Sequence, residues 1–167
     1  MSVALTRRTS IRFPSPVNEI TREDAPCHGE SKRLLDYWQR TMARSGRFII
    51  GRDIPARPIA SLLKNILINE PVRGGADMRV RLSGSWVRKR FDGRLDGLLL
   101  SEIFPPAEFE YNLADSNRVL ATGIPSIFLS ALKGYELDTL HSEVVALPIL
   151  DRDGISPLLL VGIFYFE

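Results

Sequence analysis

The chain has one cysteine, two histidines and no long apolar run in its 167 residues. A single thiol, Cys27, excludes an internal disulfide framework and leaves no second cysteine to share a metal. It suits a reducing compartment, so the cytoplasm is the expected setting. His28 and His141 lack the spacing of a metal site; no metal is expected, and His141 reads as a hydrogen-bonding or surface residue at a sheet edge. No stretch approaches the roughly 18 apolar residues of a membrane span. The pair Arg7-Arg8 is followed by TSIRFPSPVNE, which lacks the apolar centre of an export signal. Net charge is small as well. The formal balance is +2, and Arg7, Arg8 and Arg12 supply much of the excess, so nucleic acid is not an expected partner.

What is present suits an ordinary globular domain with a core of its own: 44% of residues are hydrophobic and 25% charged. Residues 1–30 carry Pro14, Pro16 and Pro26 among charged and small polar residues without a sustained period, and read as a flexible arm. The domain is expected over residues 31–167. Within residues 31–44, Ser31 is placed to cap a helix, and Leu34, Leu35, Trp38 and Met42 fall on one face, with Tyr37 flanking and Gly46 ending it. That face holds more apolar surface than a lone helix leaves in water. It is the expected interface of a homodimer; the alternative is that it docks on its own sheet and buries Trp38.

Residues 66–72 and 78–82 read as two strands folded into a hairpin through Gly74-Gly75, with Val80 and Leu82 inward and Arg79 and Arg81 outward. Gly84 turns the chain into a short polar segment bearing Trp86 and Phe91. Residues 107–122 form a longer helix, ended by Gly123 and Pro125. Residues 127–133, 139–150 and 158–166 then form three strands, separated by Gly134-Tyr135 and by Asp151-Arg152-Asp153-Gly154. The last run is apolar on both faces, which makes it a central strand beside the first one, covered by helices on both sides.

Residues able to carry chemistry do not assemble into a reactive set. Cys27 and His28 are adjacent, which rarely lets a nucleophile and its base aim at one another. Glu108 with Glu110, and Asp151 with Asp153, sit two apart and do not face each other on a helix or turn, so they read as solvated surface. Arg88-Lys89-Arg90 reads as a solvent face beside buried aromatics in preference to a phosphate patch. Gly93 and Gly97 lack the preceding parallel strand of a nucleotide fingerprint.

Tyr37-Trp38 in the leading helix, Gly51-Arg52-Asp53-Ile54-Pro55, Arg81-Leu82-Ser83-Gly84-Ser85, the tract from Phe91 to Gly97 and the closing strands together resemble a PAS domain, in particular the single-domain PAS-like proteins first catalogued as a domain of unknown function. The chain departs from that family's pattern at Asp92, Arg94 and Asp96, whereas Phe91, Leu95 and Gly97 match. The resemblance implies an α+β fold with a five-stranded antiparallel sheet, a helical crossover on one face and the N-terminal amphipathic helix. It implies a non-enzymatic sensory or regulatory role, with a small-molecule ligand or a signalling protein as partner and no catalytic residues. The alternative is an interaction or oligomerisation scaffold whose pocket is filled by its own side chains. No cofactor is expected, because residues 107–122 hold no histidine for a haem and the only cysteine lies outside the crossover, where a flavin photosensor would need it. The expected ligand lining, between sheet and crossover, is Trp86, Phe91, Phe104, Phe109 and Asn117, with Phe128 and Val145 from the sheet.

Overall fold

A computed structural model describes residues 10–12, 18–91, 93–132 and 140–166 of the chain. Its elements in order are β1 (Ser10–Arg12), β2 (Asn18–Glu23), α1 (Gly29–Ser45), a 3-10 segment (Arg57–Asn65), β3 (Ile66–Val72), β4 (Asp77–Ser83), α2 (Ser85–Arg90), α3 (Leu100–Ile103), α4 (Pro106–Thr122), β5 (Ser126–Leu132), β6 (Leu140–Leu150) and β7 (Pro157–Phe166). The architecture is α+β, with every strand pair antiparallel and the order β1-β2-β5-β6-β7-β3-β4.

β7 lies between β6 and β3, as its two apolar faces require. Leu158, Leu160 and Phe164 join the core under α1, while Leu159, Val161, Ile163 and Tyr165 face the crossover formed by α2, α3 and α4. Gly162 interrupts the first series for a steric reason. A Cβ there would lie 2.5 Å from Leu34 Cδ2 and 2.8 Å from Phe164 Cε2, so the absent side chain lets α1 approach the sheet. Gly84 serves a similar purpose. Its φ of −67° suits any residue, but a Cβ would meet the Leu63 carbonyl oxygen at 2.3 Å.

The five-stranded expectation is corrected at the N-terminal side. β2 pairs with β5 from Asn18↔Leu132 to Glu23↔Ile127, and β1 pairs with β2, so β2 to β7 give six strands and β1 adds a three-residue edge. Within the expected flexible arm over residues 1–30, Asn18–Glu23 form β2, and Gly29 and Glu30 open α1. One buried apolar residue, Ile20, carries β2 on the sheet, too little for an alternation to be visible in sequence. The strand is also held by charge. Asp115 of α4 accepts from Arg22 Nη2 of β2 at 2.7 Å, from Arg118 Nη2 at 2.7 Å and from Ser126 Oγ of β5 at 2.9 Å. Residues 1–9 and 13–17, the Gly134-Tyr135 turn, Thr139 and Asp92 lie outside the described residues.

The leading helix docks on its own sheet. Leu34 and Trp38 are buried in the core with Phe48, Leu147 and Leu160, and Leu35, Tyr37 and Met42 pack half-buried beside them. Trp38 Nε1 donates to the Pro148 carbonyl at 2.9 Å, and the Tyr37 hydroxyl donates to the Asp53 carbonyl at 2.6 Å. The face expected to form a homodimer interface is thus consumed within one chain.

A second correction concerns register. Ile68 pairs with Leu82 and Asn69 with Val80, which leaves Arg81 as an extra residue in β4. Two residues apart on β4 but opposite adjacent residues of β3, Val80 and Leu82 end up on opposite faces. Val80 is buried as expected, whereas Leu82 is 54% exposed and Ser83 takes the inward position.

Candidate functional site

Between sheet and crossover, the expected lining residues separate into different roles. Phe91, at the end of α2, meets Phe104 edge to face at 5.9 Å. Phe128 of β5 meets Tyr111 of α4 in the same way at 5.7 Å. Phe109 is half-buried in this cluster. These rings fill the space under the crossover with one another. Asn117 faces the hairpin loop, where its Nδ2 donates to the Gly75 carbonyl at 2.8 Å. Val145 is on the other face of the sheet: it belongs to the core beneath α1, and its neighbour Val144 is the residue facing the crossover. A one-residue error in reading β6 moves a side chain across the sheet.

Trp86 does not line the interior at all. It is 42% exposed on α2. Its indole stacks on Tyr165 of β7, with ring centroids 5.3 Å apart and planes 26° apart. Arg90, one turn further along α2, holds its guanidinium carbon 5.4 Å from the centroid of the same Tyr165 ring. Burial pushes the Tyr165 phenol above its ordinary value, and the neighbouring Arg90 opposes that rise. Trp86, Lys89 and Arg90 together line a depression of about 360 Å³ that is open to solvent. Arg88, Lys89 and Arg90 are exposed and make no ion pair with any described residue. Here an aromatic plate and cations without an ion-pair partner among the described residues lie side by side. Tyr165 was missed in sequence because it sits inside a continuous apolar run.

On the opposite face lies a polar cluster that sequence reasoning also missed. Glu143, fully buried in β6, accepts from the backbone N–H of Cys27 at 2.8 Å and from that of His28 at 2.9 Å, one at each carboxylate oxygen. Desolvation raises its pKa, but the N–H groups of Cys27 and His28 oppose burial, and the carboxyl is held below the usual glutamate range. The Cys27 thiol reaches Glu23 Oε1 at 3.6 Å. Among the described residues, Glu23, Cys27 and Glu143 are a donor group close enough to hold a metal ion, with ligand atoms within 4.8 Å of one another. Both Glu143 oxygens already face N–H donors at the start of α1, so the geometry serves to fasten that helix to the sheet.

His28 completes the fastening. Its Nδ1 accepts from the Glu30 N–H as the N-cap of α1, and its ring contacts Phe164 at 5.9 Å and Phe166 at 5.6 Å. His141 stacks on the same Phe166 at 5.8 Å. Cys27 thus contributes its backbone N–H to Glu143 and its thiol to Glu23, and His28 contributes its backbone N–H, its Nδ1 and its ring. Among the described residues no helix is long and apolar enough to cross a membrane. Comparison of the chain with protein-family models, with curated proteins and with solved structures gives no match.

Proposed function

We propose that the chain is a non-enzymatic, PAS-like sensory or regulatory domain that binds a small molecule at the depression beside α2, outside the centre of the crossover. The observation that carries this reading is the exposed Trp86, backed by Tyr165 and flanked by Lys89 and Arg90. Tyr165 belongs to the central strand, and the residues on either side of it, Phe164 and Phe166, touch His28 at the start of α1. A guest pressed against Trp86 therefore bears on the strand to which α1 is fastened, a physical route from one face of the sheet to the other. A cytoplasmic setting, and output through a signalling protein or a second copy of the chain, belong to the same reading.

The mutual packing of Phe91 with Phe104 and of Tyr111 with Phe128 favours a second reading, a scaffold that docks partners without a ligand. Mass spectrometry of molecules released on denaturing the purified full chain separates the two. A compound released from the wild type and absent from Trp86→Ala is the expected result. No released compound, together with a thermal-shift screen in which no small molecule moves the melting temperature, leaves the scaffold.

A further inference from the structure

We infer that the ligand of the α2 depression is a small planar anion: an aromatic ring carrying a phosphate or carboxylate, as in a mononucleotide. This rests on the reading of that depression as the binding place. The groups lining it differ in chemistry and therefore select in combination. Trp86 offers a large π surface whose position is set by its stack on Tyr165, so little ordering is lost when a second ring lies against it. Arg90 is held near that plate by its own contact with Tyr165, and Lys89 stands on the same wall. No described acid neutralises Arg88, Lys89 or Arg90, so the local field favours a negative guest.

A neutral ring would leave the cations unused, and a compact inorganic anion would leave the indole unused. Stacking and charge are both satisfied only by one molecule that carries both. Size points to a small guest. The depression of about 360 Å³ lies at the lower end of the roughly 300–1,000 Å³ of ordinary ligand sites, and Trp86, Lys89 and Arg90 of the short helix α2 form its described wall. The whole chain carries a formal charge of only +2, which argues against a polymer of phosphates as the occupant.

Isothermal titration of the full chain at low salt with AMP as probe tests this, with adenosine, inorganic phosphate, a short oligothymidylate and a glutamate peptide run in parallel. AMP is expected to bind at least about tenfold more tightly than either adenosine or phosphate, as two contacts in place of one would give. Its affinity is expected to fall by about tenfold in Arg90→Gln and in Trp86→Leu, and to weaken with added salt. Both substitutions are on the surface, and circular dichroism verifies that each variant is folded.

AMP binding that ignores both substitutions, or that is no tighter than adenosine, overturns the inference. Trp86-dependent binding of adenosine alone, or of the glutamate peptide in preference to AMP, also overturns it while leaving the depression as the binding place. An oligothymidylate bound about tenfold more tightly than AMP overturns it in favour of a nucleic-acid strand. Absence of binding by every probe overturns the inference, and the reading of the site falls with it when the release experiment is also negative.

Discussion

Glu143 shows how one side chain can join two elements that the chain keeps far apart. A carboxylate at full burial is costly, and this one is tolerated because the N–H groups of Cys27 and His28 meet its two oxygens. Its folded pKa is depressed, so the stability it contributes is complete above the unfolded glutamate value of about 4.3 and is lost as pH falls through the lower folded value. Glu143→Gln presents an amide N–H₂ to one of those donors. The expected cost near neutral pH is about 1.5–3 kcal/mol, the usual worth of hydrogen bonds to a charged group. Below the folded pKa the two proteins should converge, because the wild-type carboxyl is then neutral too. Thermal melts followed by circular dichroism from neutral to acid pH check this, and a constant gap at every pH would remove the charge from the explanation. The sequence placed Glu143 correctly in a strand. What it hid was the partner, since Cys27 and His28 lie over a hundred positions away and contribute backbone atoms that no residue pattern encodes.

At the scale of elements, the strands and helices with strong periodicity were legible: α1, α4, the β3–β4 hairpin and the central β7 all lie where alternation or helical spacing puts them. β2 was not, because Ile20 is its one buried apolar residue and Asp115 of α4 does part of the holding. The bulge at Arg81 was hidden for a different reason. Nothing in Met78-Arg79-Val80-Arg81-Leu82 departs from a regular strand, yet the pairing with β3 skips one residue and turns Leu82 outward. Two substitutions test that register. Leu82→Lys should change stability by no more than about 0.5 kcal/mol, as for an ordinary surface site. Val80→Lys buries an unpaired ammonium and should cost at least about 3 kcal/mol or abolish folding. A regular strand without the bulge would make both variants comparably damaging, and chemical denaturation of the pair distinguishes the cases.

For the whole molecule, the decisive partition of apolar surface is between faces of one sheet and surfaces of two chains. The hydrophobic stripe of α1 was legible in sequence as surface that must be covered, while the identity of the cover was not, because a stripe has the same pattern whether it meets its own sheet or a second copy. Gly162 decides it sterically: the missing side chain on the central strand is filled by Leu34, and Trp38 reaches the Pro148 carbonyl of β6. Truncating a buried Leu costs about 2–5 kcal/mol and a buried Trp about 3–5 kcal/mol. The total stability of a domain is about 5–15 kcal/mol. The combined Leu34→Ala and Trp38→Ala variant should therefore lose most or all of its cooperative melt, at a temperature that does not depend on protein concentration. A self-association interface would behave otherwise. The wild-type melting temperature would rise with concentration, and the double variant would remain folded as a monomer in sedimentation and near-ultraviolet circular dichroism. Neither is expected, because Leu34 and Trp38 share one core with Phe48, Ile59, Leu62, Leu147, Leu160 and Phe164, and truncating both removes burial that holds α1 on β6 and β7.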